Sequence, residues 1–190
     1  MKPSRIRPAA VLVALLLPTL PSLAMAQNDG EGPARDYGAS FLQDFDRASD
    51  KLLQLAEAIP PEKYAWRPTP EVRSVSEVFV HVAVANGFLS NKAAGIEPPA
   101  GLDREAEART TEEAEVIALL KASQELVRRA VAERGGDFSE QVDFFWGPAP
   151  VRDVFLQMAA HSHEHLGQMI AYARMAGVTP PWSRPRAGGP

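Results

Sequence analysis

The sequence predicts an all-α protein folded as a four-helix bundle. Three observations carry this reading. Apolar residues recur every three or four positions in four stretches, helix-starting and helix-ending residues stand at the borders of those stretches, and no sustained run alternates apolar with polar residues. Four amphipathic helices within about 140 residues can bury their stripes against one another as a bundle.

The first helix is expected from about residue 36 to 58. Phe41, Phe45, Ala48, Leu52, Leu55 and Ala56 form its stripe, and Pro60-Pro61 ends it, because proline lacks the N–H that the next turn needs. Residues 61–70 read as a connector. Ser74 followed three residues later by Glu77 is a capping box, in which each side chain meets the other residue's backbone N–H. The second helix starts there. From Val75 to Leu89 it is apolar nearly all round, the pattern of a helix packed on several sides. Residues 91–101, with Gly95, Pro98 and Pro99, read as a loop.

Thr110 or Thr111 is placed to cap a third helix, whose Val116, Ile117, Leu120, Leu126, Val127 and Ala130 share one face and which Gly135-Gly136 closes. Residues 137–150 carry Val142, Phe144, Phe145 and Trp146. This aromatic connector is either extended or a lid over one end of the bundle. A fourth helix is expected from about residue 150 to 176, with Gly177 placed to end it.

The two termini are set apart from the bundle. Lys2, Arg5 and Arg7 precede the apolar run 9–17, and Ala24-Met25-Ala26 offers small residues where a signal peptidase reads them. Residues 1–26 are therefore expected to be a secretory signal cleaved before Gln27. Pro18 and Pro21 interrupt the run, which is shorter than the roughly 20 residues of a membrane-spanning helix. Residues 27–35 read as a flexible leader, 36–182 as the helical domain, and 183–190, rich in proline and glycine, as a disordered tail.

Cleavage would remove three positive charges and no negative one, taking the formal net charge from −4 to −7. Binding to a phosphate backbone relies on clustered Lys and Arg, and here the basic residues are scattered among acidic ones, so no nucleic-acid partner is expected. Nor is a membrane partner expected once the signal is gone. The chain has no cysteine, which excludes disulfides, thiolate ligands and a cysteine nucleophile. Any metal must be held by His, Asp or Glu.

Three of the four histidines fall in His161-Ser162-His163-Glu164-His165. With His165 set at zero and about 100° per residue, Val151, Val154, Met158, Met169, Tyr172 and Ala176 lie within roughly 40° of it, and His161 lies about 40° to the other side. Both imidazoles are thus expected to point into the core. His163, at about 160°, faces away and reads as a surface residue. An i, i+4 pair of histidines brings two imidazoles close enough to share one ion. The remaining histidine, His81, shares a stripe with Val78, Ala85 and Phe88 on the second helix, so it too is expected to point inward. His81, His161 and His165 are the candidate metal ligands. Separate core histidines would each need a hydrogen-bonding partner to offset desolvation, whereas one ion serves all three.

The segment also matches H-x-x-E-H, a metalloprotease pattern with Glu164 as general base. On a helix, however, Glu164 sits about 100° from His165, and only 25 residues follow His165 to supply a third ligand and a cleft.

Several short markers, in order, resemble the DinB-like (YfiT-like) metalloenzyme family over most of the chain after the signal. They are Trp66-Arg67-Pro68, Ser74-Val75-x-Glu77, His81-Val82-Ala83-x-Ala85-Asn86 and His161-x-x-x-His165-x-Gly167-Gln168, then Tyr172, Arg174 and Gly177-Val178-x-Pro180-Pro181. The resemblance implies a four-helix bundle, often a homodimer, with a three-histidine site for a divalent ion such as zinc or nickel that maps onto His81, His161 and His165. Leu166 stands where such proteins often carry a basic residue, and the export signal is a second departure. Some members are thiol transferases that use cytoplasmic thiols, which an exported protein would seldom meet.

Three histidine ligands leave at least one coordination position open, as catalytic sites do. The expected function is that of a metal-dependent transferase or hydrolase acting on a small molecule, and the rival reading is a non-catalytic metal- or ligand-binding module of the cell envelope. Glu164, Asp153 and Tyr172 are the candidates for a general base.

Overall fold

The structure is a computed structural model that describes residues 36–185. The signal and leader expected over 1–35 lie outside the described residues, as does the tail from 186 onward. Four long helices and one short one make up the fold: α1 (Tyr37–Ala58), α2 (Val75–Ala94), the single turn α3 (Ala106–Arg109), α4 (Glu113–Glu133) and α5 (Val151–Met175). A two-stranded antiparallel hairpin, β1 (Gln141–Phe144) and β2 (Gly147–Pro150), stands between α4 and α5.

Local chemistry accounts for the helix borders. The Asp36 carboxylate accepts from the Gly38 N–H at 2.9 Å and starts α1; Ile59, extended before the prolines, ends it. The expected capping box of α2 is present in both directions, with the Ser74 N–H donating to Glu77 at 2.8 Å and the Glu77 N–H donating to Ser74 Oγ at 3.3 Å. Helix α2 then runs five residues past the expected Leu89 to Ala94, and Gly95 ends it at φ 67°. The expected Thr caps of the third helix are corrected. Thr110 closes α3 instead, Glu112 stands at the start of α4 without a side-chain cap, and acidic Glu113 and Glu115 occupy the first turn, where they favour the positive end of the helix dipole. At the end of α5, Val178 N–H donates to Ala173 O at 2.7 Å and Gly177 N–H to Arg174 O at 3.1 Å, the paired bonds of a Schellman ending.

Contacts between helices set their directions. Tyr37 meets Arg152 and Asp44 meets His163, so α1 and α5 run parallel. Asp46 meets Arg128 and Glu57 meets Lys121, so α1 and α4 run antiparallel. Asn86 meets Ser123 and Ala93 meets Arg134, so α2 and α4 run parallel. The bundle is therefore up-down-down-up, with α2 and α1 each packed beside both α4 and α5. A parallel α2–α4 pair requires a long crossover along the bundle, and residues 95–112, including α3, provide it. It runs tightly against α2: a Cβ added at Gly87 would come within 3.3 Å of Pro98.

The core forms two apolar clusters. Leu52, Leu55, Tyr64, Phe79, Leu120 and Met169 belong to one, and Phe41, Phe45, Val127, Val154, Phe155 and Met158 to the other. On each of three helices, buried polar residues interrupt the sequence between the clusters: Asn86 on α2, Ser123 and Gln124 on α4, and Ser162 and His165 on α5. Asn86 donates to Ser123 Oγ at 3.2 Å and Gln124 to Ser49 O at 3.1 Å, tying the helices together at this level.

The aromatic connector resolves into the hairpin, although the sequence shows no strand by its patterning. Val142 pairs with Ala149 and Phe144 with Gly147, and Phe145-Trp146 form the turn. Phe144 and Ala149 are buried, whereas Phe145 stacks on Phe88 of α2 with ring centroids 5.5 Å apart. Four-residue strands are too short for a clear alternation, and a Phe-Trp turn lacks the Asn-Gly or Asp-Gly signal of tight hairpins. No helix among the described residues is long and apolar enough to cross a membrane.

Candidate metal centre

The three candidate histidines meet where α2 and α5 pack side by side. His81 Nε2 lies 3.1 Å from His161 Nε2, which lies 3.1 Å from His165 Nε2. One ligand atom from each falls within 4.8 Å of the others. Ring centroids are separated by 4.4 to 5.0 Å, with the planes tilted or edge-on, not stacked.

His161 and His165 are adjacent because one helical turn separates them. Val151, Val154, Met158, Met169 and Tyr172 are buried on the same face as His165, as the helical phase predicts, and His161 sits half-buried at its border. The inward expectation for His81 needs correction. Of its stripe only Val78 is buried; His81, Ala85 and Phe88 lie on the half-exposed flank of α2. Helix α2 is apolar on nearly every face, so its phase could not separate the core from the flank toward α5. As a result the cluster is closed by the core on the His165 side and approachable from solvent on the His81 side, where the side chain retains 23% exposure.

Each outer nitrogen has its own environment. His81 Nδ1 is 2.7 Å from Glu107 Oε1, and Arg73 Nε donates to Glu107 Oε2 at 2.8 Å. His165 Nδ1 is 2.7 Å from Gln168 Oε1, and Gln168 Nε2 donates to the Tyr172 hydroxyl at 3.1 Å. The Tyr172 ring meets Trp66 edge-on at 5.6 Å. His161 Nδ1 is buried without a partner among the described residues. A carboxylate and an amide oxygen can only accept, so each ring donates from Nδ1, and the neutral tautomer that does so turns its Nε2 lone pair toward the cluster.

Electrostatics point the same way. Burial, then the proximity of His165 and His81, lowers the His161 pKa to about 4. Burial also lowers that of His165, against the opposing hydrogen bond to Gln168. Both are neutral at neutral pH, the protonation state of a ligand. Burial alone would push the Glu107 carboxyl up, but Arg73 and His81 hold it below the usual carboxylate range.

This donor set suits a divalent cation. Nitrogens bound at the 2.0–2.1 Å typical of zinc in tetrahedral geometry stand about 3.3 Å apart, close to the 3.1 Å that separates His161 Nε2 from each of its two neighbours; all three ligand atoms lie within 4.8 Å of one another. A proton on His161 Nε2 can point at only one flanking histidine, leaving the other lone pair facing lone pairs. A cation held among the three nitrogens would satisfy all of them at once.

The remaining candidates lie outside the cluster. His163 is exposed and its Nε2 is 3.1 Å from Asp44 of α1, consistent with the surface role expected from its phase. Glu164 is exposed and hydrogen-bonds none of the three histidines. Asp153 lies eight residues before His161, about 12 Å along the helix axis, beside Arg152. Of the three proposed bases only Tyr172 joins the site, through Gln168. Gln168 was visible as i+3 from His165. Glu107 and Arg73 were not, because the crossover that carries Glu107 has no periodicity linking it to His81.

Solved structures share this architecture. A DinB-like protein from Bacillus cereus superposes with a TM-score of 0.66 at 18% identity, over 75% of this chain and 95% of that one. A DinB-like protein from Bacillus subtilis superposes with a TM-score of 0.61 at 19% identity, over 78% of this chain and 99% of that one. No curated protein matches significantly. The family model of the DinB superfamily matches residues 44–169, the span that runs from α1 through all three histidines. The chain therefore belongs to the DinB superfamily.

Proposed function

We propose that the protein is an exported metal-dependent enzyme that holds zinc or nickel on the Nε2 atoms of His81, His161 and His165 and acts on a small molecule as a transferase or hydrolase. The observation that carries this reading is the clustering of three imidazole nitrogens within 4.8 Å, with partners on the Nδ1 side of His81 and His165 that turn their Nε2 atoms toward His161. A divalent ion there would supply Lewis acidity at an open coordination position.

The chain's own residues account for the rest of the site. His165, buried and tied to Gln168, is the fixed side; His81, on the half-exposed flank, faces the approach of a substrate. Tyr172 presents a hydroxyl near the cluster, which Gln168 holds by donating to its oxygen. That leaves the Tyr172 O–H proton free to be donated. Export rests on the positive start, apolar run and Ala24-Met25-Ala26 of the first 26 residues.

Element analysis of the protein purified from its native compartment tests the metal assignment. One zinc or nickel per chain, lost on replacing any of the three histidines, is the expected result; wild type that neither carries nor takes up a divalent ion would overturn it. A non-catalytic binding role is favoured by one observation: Glu107, the carboxylate nearest the histidines, is engaged by both His81 and Arg73 and is not free to act as a base. Anion titration of the cobalt-loaded protein separates the two readings. Azide that shifts the cobalt absorption indicates an exchangeable position suited to catalysis, and a spectrum that does not respond indicates a closed site.

A further inference from the structure

Glu107 reaches His81 from a separate piece of chain, and its mounting is unusually complete for a half-exposed carboxylate. Helix α3 is only one turn long, but it is pinned to the core by Ala106 and Leu102, both in the apolar cluster beside α2, and by buried Thr110. From that mount the carboxylate uses both oxygens. Oε1 accepts the His81 Nδ1–H at 2.7 Å and Oε2 accepts the Arg73 Nε–H at 2.8 Å. Arg73 immediately precedes Ser74, the capping residue of the helix that carries His81. The chain Arg73–Glu107–His81 thus joins both segments that flank α2 to one ring nitrogen.

The three histidines differ in this respect. His165 is held by a neutral amide, and His161 Nδ1 has no partner among the described residues. Among the three, His81, which retains 23% exposure, is the one hydrogen-bonded to a negatively charged side chain. A side chain in that position has the freedom to rotate out to solvent, and a fixed carboxylate behind the ring removes that freedom. Hydrogen bonding to a carboxylate also makes the opposite nitrogen a stronger donor to a metal. Glu107 cannot itself serve as a ligand in this arrangement, because Nδ1 and Nε2 lie on different sides of the imidazole and the carboxylate occupies the Nδ1 side.

We infer that Glu107, held by Arg73, is a positioning residue that fixes the rotamer and tautomer of His81 and strengthens its Nε2 as a donor to a divalent cation. The inference rests on the three-histidine reading above. It adds a residue that belongs to none of the sequence markers of the family resemblance.

The test is zinc affinity, measured by competition with a chromophoric chelator, in wild type, Glu107→Gln, Glu107→Ala, Arg73→Gln and the Glu107→Ala/Arg73→Gln double variant. Removing the carboxylate is expected to weaken zinc binding about 10- to 100-fold. Glu107→Gln should recover part of the loss, because its amide oxygen still accepts from Nδ1. Arg73→Gln should weaken binding less, and should add nothing in the Glu107→Ala background, since Arg73 acts through Glu107. At saturation the cobalt(II) absorption bands of Glu107→Ala should match those of wild type, since no ligand is lost.

Each contrary result has a distinct meaning. Zinc affinity unchanged in Glu107→Ala overturns the positioning role while leaving the three-histidine site standing. A cobalt spectrum altered in coordination number overturns it in favour of Glu107 as a direct ligand. Equal losses in Glu107→Gln and Glu107→Ala, with metal-free melting temperatures lowered alike, overturn it in favour of a purely structural ion pair. Wild type that binds neither zinc nor cobalt overturns the metal site, and the positioning role with it.

Discussion

His81 and His161 are separated by 80 residues in the chain, yet their Nε2 atoms stand 3.1 Å apart, while Glu107 holds the opposite, Nδ1 side of the His81 ring. Two lone pairs held face to face are unfavourable unless a cation or a shared proton lies between. The fold enforces the approach from both sides, through the α2–α5 packing and through the partners behind the rings of His81 and His165.

The first prediction divides the four histidines. His81→Ala, His161→Ala and His165→Ala should each abolish stoichiometric metal and lower the melting temperature of the metal-loaded protein, because an ion that binds only the native state stabilises it by mass action. His163→Ala should retain the metal. A chelator should lower the melting temperature of wild type and of His163→Ala and leave the other three nearly unchanged. Identical melting of wild type with and without chelator would refute the site.

A second prediction concerns the start of α2, which positions His81 about two turns after Ser74. Ser74→Ala removes an acceptor for the Glu77 N–H and should cost about 1 kcal/mol in urea unfolding. Its buried hydroxyl also faces Ser76 at 3.1 Å, so a loss below a few tenths of a kcal/mol would show that the cap does not contribute.

The Glu77 carboxylate gives the pH dependence. Burial alone would push Glu77 up, but the Ser74 N–H and the Arg67 guanidinium hold it below the usual range. A group whose folded pKa is depressed contributes stability above its unfolded value, and that contribution is lost as the pH falls through the folded value. Wild type should therefore melt above Glu77→Gln near neutral pH. The difference should shrink once the pH falls below about 4, the unfolded value of a glutamate. A gap that stays constant from neutral pH down to about pH 2 would show that ionisation is not the cause.

The fourth prediction tests the apolar end of the bundle. Phe155 is fully buried, with Phe41 and Phe138 at 4.8 and 5.6 Å between ring centroids. Phe155→Ala should destabilise by about 3–5 kcal/mol, the range for truncating a buried aromatic. Because Phe138 lies between α4 and the hairpin, the same change should loosen the hairpin and raise proteolysis at the exposed Phe145-Trp146 turn. Full resistance to chymotrypsin there would count against that coupling.

The sequence by itself determined the four helices, because α1, α4 and α5 carry apolar stripes of helical period, α2 is an apolar run opened by a capping box, and proline or glycine stands where each helix ends. It also determined the grouping of the histidines on α5: an i, i+4 pair is local geometry, and so is the outward placement of His163. The side of α2 that carries His81 was not legible, since a helix apolar on nearly every face has no phase to read. Only the tertiary structure decided that the α2 and α5 flanks meet, that the aromatic connector pairs as a hairpin, and that Glu107 and Arg73 stand behind His81. Those placements depend on the up-down-down-up order of the helices and on the crossover packed against Gly87. They are contacts between distant segments, and the periodicity of a single segment carries no information about them.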